Sequence, residues 1–171
     1  MFGPETSTSN RAMVGGMLGN NSCGTNSIVY GTTRDHTLEV TGFFSDGSQA
    51  TFASISKEEF ENRCQLETLE GEVYRCANEL LGPSVNRNLI EQNFPKPSIH
   101  RRNTGYAIDA LMQCEVFDDD SNRKFNFCKL IAGSEGTLFF ATSIKLQLQE
   151  LPPAENVLLC AHFETLSLIH I

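Results

Sequence analysis

Residues Phe2 to His36 read FGPETSTSNRAMVGGMLGNNSCGTNSIVYGTTRDH, with Gly15, Gly16, Gly19, Gly24 and Gly31 spaced among small polar residues. A backbone this bare can take positive φ and let a ligand approach closely, and its N–H groups can line a concave site for an anion such as a pyrophosphate. The stretch therefore reads as a cofactor cradle. Two familiar phosphate signatures do not fit it. No Gly-Lys-Ser/Thr follows a glycine run, and Gly16, Gly19 and Gly24 miss the G-x-G-x-x-G spacing. Taken alone, such a cluster reads equally as a surface loop.

A second element lies far downstream. Lys129-Leu130-Ile131-Ala132-Gly133-Ser134-Glu135-Gly136-Thr137-Leu138 sets a tight polar turn between apolar runs. The succession GGMLGNNSCG (15–24), YGTTRDH (30–36), NTGY (103–106) and KLIAGSEGTL (129–138) resembles the FAD-binding, PCMH-type domain of the vanillyl-alcohol oxidase flavoprotein superfamily. Within it the likeness is to FAD-linked D-2-hydroxy-acid dehydrogenases of the D-lactate, glycolate and D-2-hydroxyglutarate type, especially the large bacterial members with an iron–sulfur domain. It runs from Phe2 to about Thr165.

The resemblance implies FAD as cofactor and hydride transfer from a D-2-hydroxy acid to flavin N5. Electrons would then pass to a quinone, an electron-transfer flavoprotein or an iron–sulfur domain. It also implies cofactor contacts at Pro4, Glu5, Thr6, Ser7, Thr8, Gly15, Gly16, Asn20, Asn21, Ser22, Gly24, Glu135, Gly136, Thr137, Leu138 and Ala141. The iron–sulfur clusters, metal-binding histidines and catalytic residues of such enzymes would lie outside this chain, so no catalytic or metal-binding residue is assigned. Residues 1–166 are expected to be a partial domain lacking an upstream subdomain and a downstream substrate domain, inactive alone and weak in FAD binding. Ser167 to Ile171 reads as a non-native tail. Rival readings are a non-enzymatic module for an anion or protein, and a flavoenzyme of the alkyl-glycerone-phosphate synthase type.

The 171 residues are 40% apolar and 20% charged, ordinary for a globular domain with its own core. The net charge of −8 argues against nucleic acid as a partner. No apolar run approaches the about 18 residues of a spanning helix, and Met1-Phe2-Gly3-Pro4, leading straight into polar residues, carries no expectation of a signal peptide. The six cysteines show no C-x-x-C or zinc spacing, which fits reduced thiols in a cytoplasmic protein, with peripheral contact at the inner membrane as a further option.

The pattern predicts an α+β fold, a largely antiparallel sheet flanked by helices, equivalent to the second subdomain of the flavin domain. Thr37–Phe44 and Gln49–Ala53 alternate around Asp46-Gly47 as a hairpin. Ser56 and Glu59 form a capping box before a helical stripe from Phe60 to Leu81, in one helix or two around Gly71, ended by Gly82-Pro83. Asn88–Asn93 reads as a short helix and Ala107–Met112 as a helical turn. Strands are expected at Phe125–Ala132, Leu138–Leu148 and Asn156–Phe163. Asp118 to Asn122 reads as a solvated loop. Arg34-Asp35 reads as a structural ion pair and capping group rather than acid–base machinery, and His100, Arg101 and Arg102 stay ambiguous. Phe139, where the resembling proteins carry a small residue, would crowd the cofactor unless it turns into the core.

Overall fold

The computed structural model describes residues 1–96, 98–99 and 105–155, together with positions 157, 160 and 162. Among these lie eight helices and one three-stranded sheet. In chain order they are α1 (Val14–Gly19), α2 (Ser27–Tyr30), α3 (Thr33–His36), β1 (Thr37–Phe43), β2 (Gln49–Ala53), α4 (Lys57–Cys64), α5 (Leu69–Leu81), α6 (Ser84–Asn93), α7 (Ile108–Met112), α8 (Cys128–Ile131) and β3 (Phe140–Leu146).

The sheet is antiparallel throughout, in the order β2-β1-β3, so the α+β expectation holds. The hairpin forms where the alternation places it. Gly47 turns at φ 82°, and Asp46 Oδ1 accepts from Ser48 N at 2.8 Å. Gly42 lies where β1 and β3 crowd together: a Cβ there would meet Phe140 O at 2.1 Å. Phe139 resolves its own ambiguity by turning inward, 5% exposed, with its ring edge-to-face against Phe44 and Phe52.

The helical stripe is two helices, and Gly71 is not the break. Residues 65–68 turn the chain and Thr68 Oγ1 accepts from Gly71 N to start α5. Gly71 is bare because α5 packs on that turn, where a Cβ would stand 2.0 Å from Leu66 O. Ser56 caps α4 through Glu59 N at 3.2 Å. The Gly82-Pro83 stop holds, but α6 begins at Ser84 rather than Asn88.

The largest correction falls at Phe125–Ala132. An apolar run of this length fits a strand or a buried helix, and here Cys128–Ile131 is helical, leaving a single bridge from Phe125 to Ile55. Asn126 decides it: its Oδ1 accepts from Cys128 N at 2.8 Å and its carbonyl takes Lys129 N, which starts a turn instead of a ladder. Most of the expected strand 156–163, the tail 167–171, His100, Arg101, Arg102 and half of NTGY lie outside the described residues.

The core is aromatic. Phe60, Tyr74, Phe125 and Phe127 interlock edge-to-face or tilted, with centroids 4.7 Å apart for Phe60–Phe125, 4.8 Å for Phe125–Phe127 and 4.9 Å for Tyr74–Phe127. No helix among the described residues is long and apolar enough to cross a membrane.

Candidate functional site

The opening glycine segment is more ordered than its composition implies. Gly15, Gly16 and Gly19 sit in α1, a right-handed helix, so their bareness does not serve positive φ. The left-handed residue of this turn is Asn21, at φ 46°. Gly24 is bare for close approach, since a Cβ there would lie 1.4 Å from Glu5 O, whereas one at Gly19 would make an ordinary contact with Glu135 Cα at 3.5 Å. Gly15 and Gly16 are different. They are exposed, and a Cβ on either would meet nothing within 4 Å. Each glycine in a helix costs about 0.5–1 kcal/mol against alanine, and no contact among the described residues uses the space. They present bare backbone outward, as a flat ligand laid against the helix would require.

The second turn meets the first directly. Gly133 N donates to Leu18 O and Glu135 N to Gly19 O, both at 2.9 Å. Glu135 is the other non-glycine residue at positive φ, 53°, beside Gly133 at 96° and Gly136 at 72°. The two uncommon non-glycine conformations in the described residues thus occupy two turns that touch. Such geometry persists where surrounding contacts over-determine it, often at ligand sites.

The N-terminal segment closes against the same corner. Glu5 Oε2 accepts from Asn26 Nδ2 at 2.9 Å, and Gln149 N donates to Met1 O at 2.7 Å, fastening this segment to the stretch beyond β3. The His36 ring joins the end of α2 to the stretch beyond β3, with Nδ1 2.9 Å from Gln147 O and Nε2 2.7 Å from Tyr30 O.

Each proposed contact residue can now be placed. Glu5, Ser7, Gly15, Gly16, Asn20, Glu135, Gly136, Thr137 and Leu138 are exposed around the junction, with Thr6, Thr8 and Gly24 half-buried. Pro4, Asn21 and Ser22 are buried and act on the protein itself. Asn21 Oδ1 accepts from Arg34 N at 2.8 Å, and Ser22 O accepts from Thr33 Oγ1 at 2.7 Å. Thr137 Oγ1 donates to Ser134 O at 2.6 Å and lies 2.7 Å from the Tyr106 hydroxyl. Leu138 borders an apolar cavity with Phe44 and Phe127, and Ala141 packs on the core opposite Gly42. A polar cavity of about 440 Å³ flanks the junction beside Asn21, Asp35 and Arg123, and a mainly apolar one of about 450 Å³ lies beside Pro4, Glu5 and Thr6.

Arg34 and Asp35 divide their work. Asp35 Oδ2 accepts from Thr32 N at 2.8 Å and Thr32 Oγ1 at 3.0 Å, the predicted cap, while the Arg34 guanidinium turns to α8. Its Nη2 donates to Ala132 O at 2.7 Å and its Nε to Lys129 O at 2.8 Å. Lys129 Nζ in return donates to Arg34 O at 3.0 Å, and burial holds its pKa below the ordinary lysine value. Sequence reasoning did not find this exchange. The basic residue at the foot of the second turn was visible, but nothing in the sequence joins it to a partner 95 residues away.

Residues 1–53 match the family described as FAD binding domain. The chain is 36% identical over 151 residues to the D-2-hydroxyglutarate dehydrogenase of Pseudomonas putida, 36% over 156 residues to that of Pantoea ananatis, and 35% over 161 residues to that of Escherichia coli. These alignments cover 88%, 91% and 91% of this chain and 14% of each relative. The chain thus spans about one seventh of the length of the relatives it matches. No solved structure matches it.

Proposed function

We propose that this chain, whose residues 1–53 match the FAD binding domain family, forms one wall of the flavin site in an oxidoreductase that oxidises a D-2-hydroxy acid, of the D-2-hydroxyglutarate, D-lactate or glycolate class. The observation that carries the reading is the direct junction of the Gly133–Thr137 turn with the end of α1 at Leu18 and Gly19, where the Asn20–Gly24 turn begins, with Gly15 and Gly16 bare and outward beside it.

Bound FAD would supply the hydride acceptor, N5 of its ring, and the electron route onward to a quinone, an electron-transfer flavoprotein or an iron–sulfur centre. The chain's own residues bind and orient. Gly15 and Gly16 let the cofactor lie against helix backbone. Thr6, Ser7, Thr8 and Asn20 offer hydroxyls and an amide at the rim. Glu135 and Gly136, held by Gly19, present the second turn from the opposite side. Pro4, Asn21 and Ser22 fix the shape of these segments from beneath, and Leu138 and Ala141 tie the second turn to the core. No residue here is given a role in breaking the substrate C–H bond.

The test uses the longer protein that includes these residues. It should purify yellow, and D-2-hydroxyglutarate, D-lactate or glycolate should bleach the flavin without added oxidant. Gly16→Ala should weaken FAD binding by about tenfold or more, since a methyl group then stands between helix and cofactor. A colourless, folded protein with no affinity for FAD would overturn the reading.

A further inference from the structure

We propose that Arg34 is the positioning residue of the cofactor site: it holds the two turns at a fixed separation and thereby sets the flavin's seat. The inference rests on the flavin reading above and concerns a residue that would not itself touch the cofactor.

Arg34 is 9% exposed and touches both turns at once. Its backbone N–H donates to Asn21 Oδ1 at 2.8 Å, which fixes the side chain of the residue held at φ 46° in the first turn. Its guanidinium reaches the foot of the second turn, where Nη2 donates to Ala132 O at 2.7 Å and Nε is shared between Lys129 O at 2.8 Å and Ala132 O at 3.2 Å. These are the last carbonyls of α8, which the helix itself leaves without partners. Lys129 Nζ closes the loop on Arg34 O at 3.0 Å.

Gly133 completes the arrangement. It stands at φ +96° between the two partners, where a Cβ would come within 2.8 Å of Arg34 Nη2 and 3.3 Å of Asn21 Cβ. Among the described residues, two other arginines serve helix ends. Arg75 donates to Cys64 O and Leu66 O after α4, and Arg87 to Leu81 O and Gly82 O after α5. Each reaches a helix end within about a dozen residues of itself. Arg34 alone of the three spans 95–98 residues and joins two candidate cofactor segments. A lysine would not replace it, because one ammonium lacks the planar fork that binds two carbonyls together.

The test compares Arg34→Gln, Arg34→Lys and a core control, Phe60→Leu, in the FAD-binding longer protein. Thermal unfolding with and without FAD, FAD affinity and the flavin absorption spectrum are read for each. Arg34→Gln should weaken FAD binding by about tenfold or more and shift the flavin bands, with Arg34→Lys intermediate, because hydrogen bonds from a charged donor are lost. Phe60→Leu should lower the unfolding temperature yet keep FAD affinity within about twofold and leave the spectrum unchanged. If Arg34→Gln does not fold, Arg34→Lys decides.

Either arginine variant binding FAD as the wild type does, with an unchanged spectrum, would overturn the inference. So would a control that loses the cofactor equally. A wild-type protein that takes no FAD would instead overturn the flavin reading, and this inference with it.

Discussion

Around Phe60, Tyr74, Phe125 and Phe127 the protein is held by rings meeting edge to face; around Asn21, Arg34 and Gly133 it is held by hydrogen bonds to backbone carbonyls and to the Asn21 side-chain oxygen. The first kind of contact is non-directional and scales with buried area. The second is directional and fixes distances between backbone segments. Damage to the core should therefore lower stability and leave the geometry of the survivors intact. Damage to the junction should lower stability less and displace the turns more.

The largest effect should come from Phe125→Ala. This ring is 1% exposed and contacts Phe60, Tyr74, Phe117 and Phe127, so its loss should cost about 3–5 kcal/mol in urea unfolding. Wherever the variant remains folded, FAD affinity should persist. A selective loss of FAD affinity there would break the distinction between the two regions.

Alkaline pH should separate them next. Burial pushes the Cys128 thiol up to about 12 and the Tyr74 phenol well above its ordinary value. Both groups stay protonated in the fold and ionise more readily when unfolded. Their contribution is full below the unfolded values, near 9.0 and 10.0, and is lost as pH rises through the folded ones. Urea midpoints should fall between pH 9 and 12, by a total on the order of a few kcal/mol. Cys128→Ala should flatten that slope while lowering the stability at pH 8, where Cys128 Sγ donates to Phe52 O. Lys129 acts with the opposite sign. Its lowered value means the unfolded chain holds the proton more tightly, so its term rises as pH climbs from the folded value towards 10.5.

Ser56→Ala should cost about 1 kcal/mol, a lost N-cap far from the junction, with FAD binding unchanged. The smallest effect sharpens the comparison most. Gly15→Ala should raise the stability of the FAD-free protein by about 0.5–1 kcal/mol while weakening FAD binding. Thermal unfolding and flavin titration on one sample would show the two effects running in opposite directions. A variant gaining in both would mean that Gly15 does not face the cofactor.

Much of this was legible locally. The hairpin around Asp46-Gly47, the cap at Ser56 and the stop at Gly82-Pro83 are each decided within a few residues, and all three formed. The run Phe125–Ala132 was not legible in the same way, because an apolar stretch suits a buried helix as well as a strand and only Asn126, bonded to Cys128 N, tips it. At the site, the glycine segments could be recognised, but not why they are bare. Gly24 makes room for Glu5 O, and Gly15 and Gly16 face outward.

The sequence by itself determined the chemistry on offer: two small-residue turns with bare backbone, an aromatic stripe able to fill a core, and an order of motifs that resembles that of flavin domains. Tertiary structure alone decided that the two turns touch, that Phe139 packs inward, and that Arg34 reaches Ala132 instead of serving its neighbour Asp35. The reason is one of range. Caps and turns are settled by hydrogen bonds spanning three or four residues, which spacing encodes. A bond across 98 residues exists only after the sheet and α8 have packed, and no local pattern carries that distance.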